Sequence, residues 1–304
     1  MPEMPEVQGL VDFLREKLLP PGAPPAVISD VEVPSFAVLK TADVPLDELK
    51  SAPVSGVERR GKFIVLSAGG VHLVMHLAKA GWLRWSDALK PGRLRPGKGS
   101  MALRVRFAPG AGVPGDKTSN DGGAEPGFDL TEAGTKKSLA VYLVRDPSDV
   151  PGIARLGPEA FDVDFETFAG LVAGHRGQIK GLLRDQSVIA GVGNAYSDEI
   201  LHAAHLSPFA TAAKLKPEEV SRLFEALRAV LESANANASG RPAAELKDSK
   251  RRAMRVHGRT GELCPVCGDT VREVSFADSS LQYCPTCQTG GKLLADRRLS
   301  RLLK

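Results

Sequence analysis

A chain of 304 residues has room for two domains at the usual roughly 100 to 200 residues each. Its 42% apolar and 25% charged residues exclude a disordered or fibrous class. The formal charge of +4 is unevenly spread: residues 247–304 carry twelve Lys or Arg against six Asp or Glu, so the basic character belongs to the C-terminus and points to a polyanion, nucleic acid before membrane.

The first predicted element is a helix from Pro5 to Leu18, where Val7, Leu10, Val11, Leu14 and Leu18 recur at helical spacing and proline sits in the opening turn. Ahead of it runs Met1-Pro2-Glu3-Met4-Pro5-Glu6. With Met1 removed, Pro2 would present a secondary α-amine beside two carboxylates. Such an amine titrates near about pH 8 and can attack an electrophilic carbon to form a Schiff base. Taken alone, these six residues also fit an ordinary chain start. Glu6 falls in the first helical turn, where it can compensate the helix dipole, bind the terminal amine, or do both.

Short apolar or alternating runs predict strands at 26–33, 37–40, 54–60, 62–67, 71–76 and 102–107, a succession that suggests a sandwich or barrel-like sheet. Between 108 and 128 the composition turns to Gly, Pro, Asp, Ser and Asn and predicts a flexible loop, followed by a strand at 138–144. After Gly157-Pro158 the period becomes helical, with helices expected at 165–173, 178–185, 195–204, 217–234 and 242–246. No apolar run reaches the ~18 residues of a membrane span, and the start lacks a basic-then-apolar signal, so the expected location is the cytoplasm.

Three motifs carry chemistry. Cys264-Pro-Val-Cys267 and Cys284-Pro-Thr-Cys287 contain all the cysteines of the chain. Two Cys-x2-Cys pairs at this spacing predict a closed four-thiolate structural zinc site, each pair on the turn of a hairpin, with Zn2+ building structure and doing no catalysis. His202 and His205 read as surface or core residues. Gln178-Ile-Lys180, Asp185-Gln186 and Ile189-Ala-Gly191-Val-Gly193-Asn194 join two helices through a glycine turn capped by Asn194. That turn is either a plain connection or a phosphate site built from backbone amides. Arg59-Arg60-Gly61-Lys62-Phe63 places a lysine at the start of an apolar strand, either exposed at an edge or facing inward with a partner.

Together, P-E-M-P-E-V at the start, R-R-G-K-F near 60, G-V-G-N-A-Y-S-D-E near 195 and the C-terminal cysteines resemble the formamidopyrimidine-DNA glycosylase and endonuclease VIII family over nearly the whole chain. The resemblance implies an α+β protein: an N-terminal β-sandwich (1–157), a helix-two-turn-helix domain (158–250) and a zinc-finger domain of ribbon type (251–304), with damaged DNA bound in a cleft. It implies a bifunctional DNA glycosylase and abasic-site lyase of base-excision repair, a monomer without nucleotide cofactor or membrane partner, nucleoid-associated through DNA. Pro2 would attack C1′ of a flipped-out nucleotide. Glu3 would protonate the sugar ring oxygen, Glu6 would hold the amine and a water, and Lys62 would donate a proton and contact phosphate. Arg176, Lys180 and Asn194 fall where the family grips phosphates.

The departures from the family pattern concern lesion recognition. Lys79, in His76-Leu77-Ala78-Lys79-Ala80-Gly81, stands where an apolar methionine wedge is usual. Asp149 and Val150 replace the arginine and phenylalanine that read and fill around the orphan base, so selection of cytosine is not implied. Ser279 replaces the zinc-finger arginine, which implies weaker DNA binding and catalysis that stops after β-elimination. The alternative reading is a catalytically weak protein that binds damaged or branched DNA on the same fold.

Overall fold

Val7, Leu10, Val11, Leu14 and Leu18 line one stripe of α1 (Met4–Leu18), and all five are fully buried. The structure, a computed structural model, describes residues 1–90, 92–94, 99–108, 124–134, 137–277 and 279–295. Within them the chain folds as two units: Met1–Arg155 with Ala238–Lys247, and Leu156–Asn237 with Asp248–Lys304.

The first unit contains β1 (Val27–Glu32), β2 (Val54–Arg60), β3 (Phe63–Ala68), β4 (Val71–His76), β5 (Gly81–Leu89), β6 (Met101–Ala108), β7 (Glu125–Glu132) and β8 (Ala140–Val144), then the short helix α2 (Pro151–Ala154). Two antiparallel sheets form, in the orders β1-β6-β7-β5 and β2-β3-β4-β8. Side chains alternate across a strand. Ile64, Leu66, Leu73, Met75, Val141 and Leu143 of one sheet therefore join Ile28, Leu83, Val105, Phe107, Phe128 and Leu130 of the other in a single core, which α1 also enters. This is the sandwich the sequence suggests.

Two strands escape the sequence pattern. β5 is an edge strand whose apolar run is broken by Arg84, Ser86 and Asp87. β7 reads as polar because of Asp129 and Glu132. Asp129, however, makes a two-pronged cross-strand pair with Arg104 at 2.7 and 2.8 Å, and the buried Glu132 accepts from the backbone of Ser138 and Leu139. Gly127 is required in β7: a Cβ there would lie 2.2 Å from the Val105 carbonyl.

The loop expected at 108–128 is cut short by β7, which begins at Glu125; residues 109–123 lie outside the described residues. The strand expected at 37–40 is instead a 3-10 turn, Phe36–Val38, closed by Val38 N–H on the Ser35 carbonyl, with only Leu39 bridging to Val141.

The second unit holds α3 (Phe165–Gly174), α4 (Ile179–Arg184), α5 (Asn194–Ala203) and α6 (Pro217–Ala238, whose last residue groups with the first unit). These helices match the expected positions within a few residues. The helix expected at 242–246 lies later, as α7 (Leu246–Ala253), because Pro242 opens only a turn that Glu245 closes. The β9 (Arg272–Ser275) and β10 (Ser280–Tyr283) hairpin and α8 (Pro285–Thr289) complete the unit. No helix among the described residues is long and apolar enough to cross a membrane.

Candidate active site and metal centre

The first site is made by one turn of backbone. Glu3 is the N-cap of α1, extended at φ −121°, and Glu6 lies at the third helical position. Glu6 Oε2 accepts from the Glu3 backbone N–H at 2.9 Å, and the Glu3 side chain accepts in return from the Glu6 backbone. This reciprocal capping box satisfies two donors at the helix start that have no partner within the helix. Pro5 fits beside them because an amide N–H is not needed there. Pro2 is buried, and Glu3 and Glu6 are 1% and 3% exposed, while Met1 is exposed. Two enclosed carboxylates thus lie one and four residues after Pro2 in the chain.

Lys62 occupies the two-residue turn between β2 and β3, where Arg60 pairs with Phe63 and Gly61 takes φ +55°. It precedes the strand that it was expected to begin, and it is buried at 7% exposure, the inward of the two placements open to it. Arg59 donates to the Gln8 side chain of α1 and to the Gly61 carbonyl, both at 3.0 Å, and so fastens this turn to the helix that carries Glu6. His76, at the end of β4, packs its ring 4.7 Å from that of Phe63. Burial, assisted by the Lys62 charge, lowers its pKa to about 4, so the imidazole is neutral at physiological pH. No spacing or motif in the sequence marks Arg59 as a clasp or His76 as a buried neutral imidazole. Lys79 is exposed on the tight Leu77–Gly81 turn, where Gly81 N–H donates to the Leu77 carbonyl at 2.9 Å.

In the second unit Arg176 is exposed, whereas Lys180 is only 5% exposed. The Lys180 ammonium lies 2.6 Å from Asp198 Oδ1, 2.7 Å from Ser197 Oγ and 3.1 Å from the Asn194 carbonyl. The other Asp198 oxygen meets His257 Nδ1 at 2.7 Å and the Gln282 backbone N–H at 3.3 Å. Glu199, next along α5, accepts the backbone N–H groups of Arg255, Val256 and His257 at 2.8 to 3.0 Å. Burial raises its pKa against those bonds. Asn194 is not the N-cap: Gly193 is, and Asn194 is the first helical residue, its side-chain amide donating to the Ser280 carbonyl at 2.8 Å. Gln186 pins the glycine turn by accepting from Gly191 N–H and donating to the Val192 carbonyl.

The four cysteine sulfurs lie within 4.8 Å of one another, with Cys267–Cys284 at 3.3 Å and Cys264–Cys287 at 3.9 Å. A tetrahedral Zn2+ with bonds of ~2.3 Å requires sulfurs about 3.8 Å apart. The thiols do not ionise together unaided: the Asp269 backbone favours the Cys267 thiolate, while burial pushes Cys284 up to about 11 and raises Cys287 as well. A divalent cation removes that conflict, and the donor set fits one structural zinc ion. Cys264 and Cys267 flank a turn closed by the Leu263–Thr270 bridge, as expected, but Cys284 caps α8 and Cys287 lies within it, so the second pair opens a helix.

Of the substituted positions, Asp149 is exposed in a 3-10 turn capped by Asp146, and Val150 is fully buried. Ser279 is half-buried in the turn of the β9–β10 hairpin, its carbonyl accepting from Phe276 at 2.8 Å.

Family models match three stretches of the chain: the formamidopyrimidine-DNA glycosylase N-terminal domain over residues 1–113, the formamidopyrimidine-DNA glycosylase H2TH domain over 156–243, and the zinc finger found in FPG and IleRS over 261–290. The fold resembles that of the Lactococcus lactis Fpg in complex with an abasic site containing DNA, with a TM-score of 0.76 and 23% identity over 95% of this chain and all of that one. The formamidopyrimidine-DNA glycosylase of Moorella thermoacetica is 32% identical over 291 residues, 90% of this chain and 94% of the relative. An uncharacterized formamidopyrimidine-DNA glycosylase-like protein of Mycobacterium tuberculosis is 64% identical over 149 residues, 49% of this chain and 94% of that protein. Sandwich, helix-two-turn-helix and four-cysteine finger together define the architecture of a DNA-repair glycosylase. The chain belongs to the formamidopyrimidine-DNA glycosylase family.

Proposed function

We propose that the chain is a base-excision DNA glycosylase that also cleaves abasic sites by β-elimination, with the α-nitrogen of Pro2 as its nucleophile and damaged DNA as its substrate. The glycosylase class follows from the family. The lyase step and the proline nucleophile rest on one observation: Glu3 and Glu6 form a buried capping box immediately after Pro2 in the chain. The division into 1–157, 158–250 and 251–304 is the working frame of this reading.

Removal of the exposed Met1 frees the proline nitrogen. Its lone pair forms a bond to C1′ as the bond from C1′ to the damaged base breaks and the base leaves with a proton. Glu3 protonates the ring oxygen, the sugar opens, and an iminium links Pro2 to C1′. Loss of a C2′ proton then expels the 3′ phosphate. Glu6 holds the amine and a water, and Lys62 supplies a proton and a cation for phosphate. Lys79 and Arg176 offer exposed cations to the backbone, while Lys180 and Asn194 order the start of α5, where backbone amides suit a phosphate.

A second reading, a catalytically weak protein that binds damaged or branched DNA, is favoured by Ser279 and Lys79, which replace the finger arginine and the apolar wedge. Borohydride trapping on abasic-site DNA separates the two. The native protein is expected to give a covalent adduct and a Pro2→Gly variant much less of it; no adduct from the native protein would sink the enzyme reading.

A further inference from the structure

His202, in the last turn of α5, has no role in the chemistry above. It is 1% exposed, and its Nε2 lies 3.3 Å from the sulfur of Cys264, which is itself 2% exposed. Its Nδ1 is buried with no hydrogen-bond partner. These facts fix the proton. A zinc-bound thiolate carries no hydrogen, so a ring with the proton on Nδ1 would set two acceptors against each other and bury an unsatisfied N–H, the costlier kind of orphan. With the proton on Nε2 the ring donates to the sulfur and leaves only an unused lone pair.

The contact belongs to a seam. One turn further, His205 Nδ1 lies 3.2 Å from the Cys287 carbonyl. Gln288 accepts from the Cys284 backbone N–H and donates to the Leu206 carbonyl, both at 2.9 Å. The end of α5 and the residues just past it therefore meet Cys264 and Cys287 directly and Cys284 through Gln288, and His202 alone among these contacts reaches a sulfur.

We infer that His202 is an outer hydrogen-bond donor of the zinc site: its Nε2–H, held by α5, bonds the Cys264 thiolate and keeps the metal in place. The bond draws charge from the sulfur, which becomes a poorer target for protons and oxidants while it remains a zinc ligand. His202 is a positioning residue and not a ligand; it lies outside the set of groups able to share one ion. Partners of this kind are commonly worth about 10- to 100-fold in metal affinity.

Two measurements on the full-length zinc protein test this. The first follows zinc released to a chromogenic chelator, with and without peroxide, in the wild type, His202→Phe and His202→Gln. The Phe variant should lose zinc about tenfold faster or more, and Gln, which retains an N–H donor, should recover part of the difference. The second needs no substitution. Proton–nitrogen correlation spectra of the wild type loaded with a spin-active cadmium isotope should show His202 protonated on Nε2, with that proton coupled to the metal. Release at the wild-type rate from a Phe variant that melts normally, or a metal-loaded ring protonated on Nδ1, overturns the inference. If the Phe variant does not fold, the spectrum of the wild type decides.

Discussion

At the start of α1 the two carboxylates stand three residues apart and are fixed by one helical turn, whereas the polar contacts of α5 with the zinc module join residues 56 to 86 positions apart. The first arrangement costs little to build, because a capping box uses donors that every helix start leaves open. The second consists of buried charges that are stable only while each retains its partners. Substitution at the start of α1 should therefore damage chemistry more than stability, and substitution around α5 or the cysteines should do the reverse.

The largest effect is expected at the metal. Cys284→Ser, or prolonged chelation, removes a site of the kind that contributes on the order of 10 kcal/mol to small zinc modules. Proteolysis and thermal melting should show the loss of order between Asp248 and Ala295, while the strand signal of the first unit persists. Next is Lys180→Ala, which leaves Asp198 buried with only His257 and the Gln282 amide for partners. Breaking a buried pair in this way costs roughly 3 kcal/mol or more, read as a lowered urea midpoint. A surface phosphate contact would leave that midpoint unchanged and alter only DNA affinity.

Smaller still is Glu6→Ala, which loses half of the capping box and should cost about 1 kcal/mol while abolishing most of the covalent trapping. A large stability loss with trapping intact would erase the contrast between the two regions. The smallest effect concerns His76. Its folded pKa of about 4 lies below the ordinary value of 6.5, so the unfolded chain takes up a proton that the folded protein refuses. Its contribution to stability is complete above about pH 6.5 and is lost as the pH falls toward 4. Melting curves across that range should fall more steeply for the wild type than for His76→Gln.

The same contrast explains what the sequence revealed. Helical spacing located α1 and four helices of the second unit, and the cysteine spacing marked the metal site, because each of these signals is local. β5 and β7 were hidden: their polar residues find partners, such as Arg104 for Asp129, only in the folded sheet. Asn194 reads as a cap beside its glycine turn, yet Gly193 takes that position and the Asn194 amide bonds Ser280, 86 residues away. No spacing rule links His202 to Cys264, 62 residues on. Glu3 and Glu6 were legible because one turn of helix brings them together, and Lys62 because its motif resembles the family's; the Arg59 clasp that fastens its turn to α1 was not.

The proposed nucleophile is the nitrogen of Pro2. Reductive trapping on abasic-site DNA, followed by nuclease and protease digestion and mass spectrometry of the adducted peptide, tests it at the atom concerned. The expected peptide begins at Pro2, lacks Met1 and carries the sugar fragment on its α-nitrogen. An adduct on Lys62 or another lysine, or trapping by a protein that retains Met1, would contradict it.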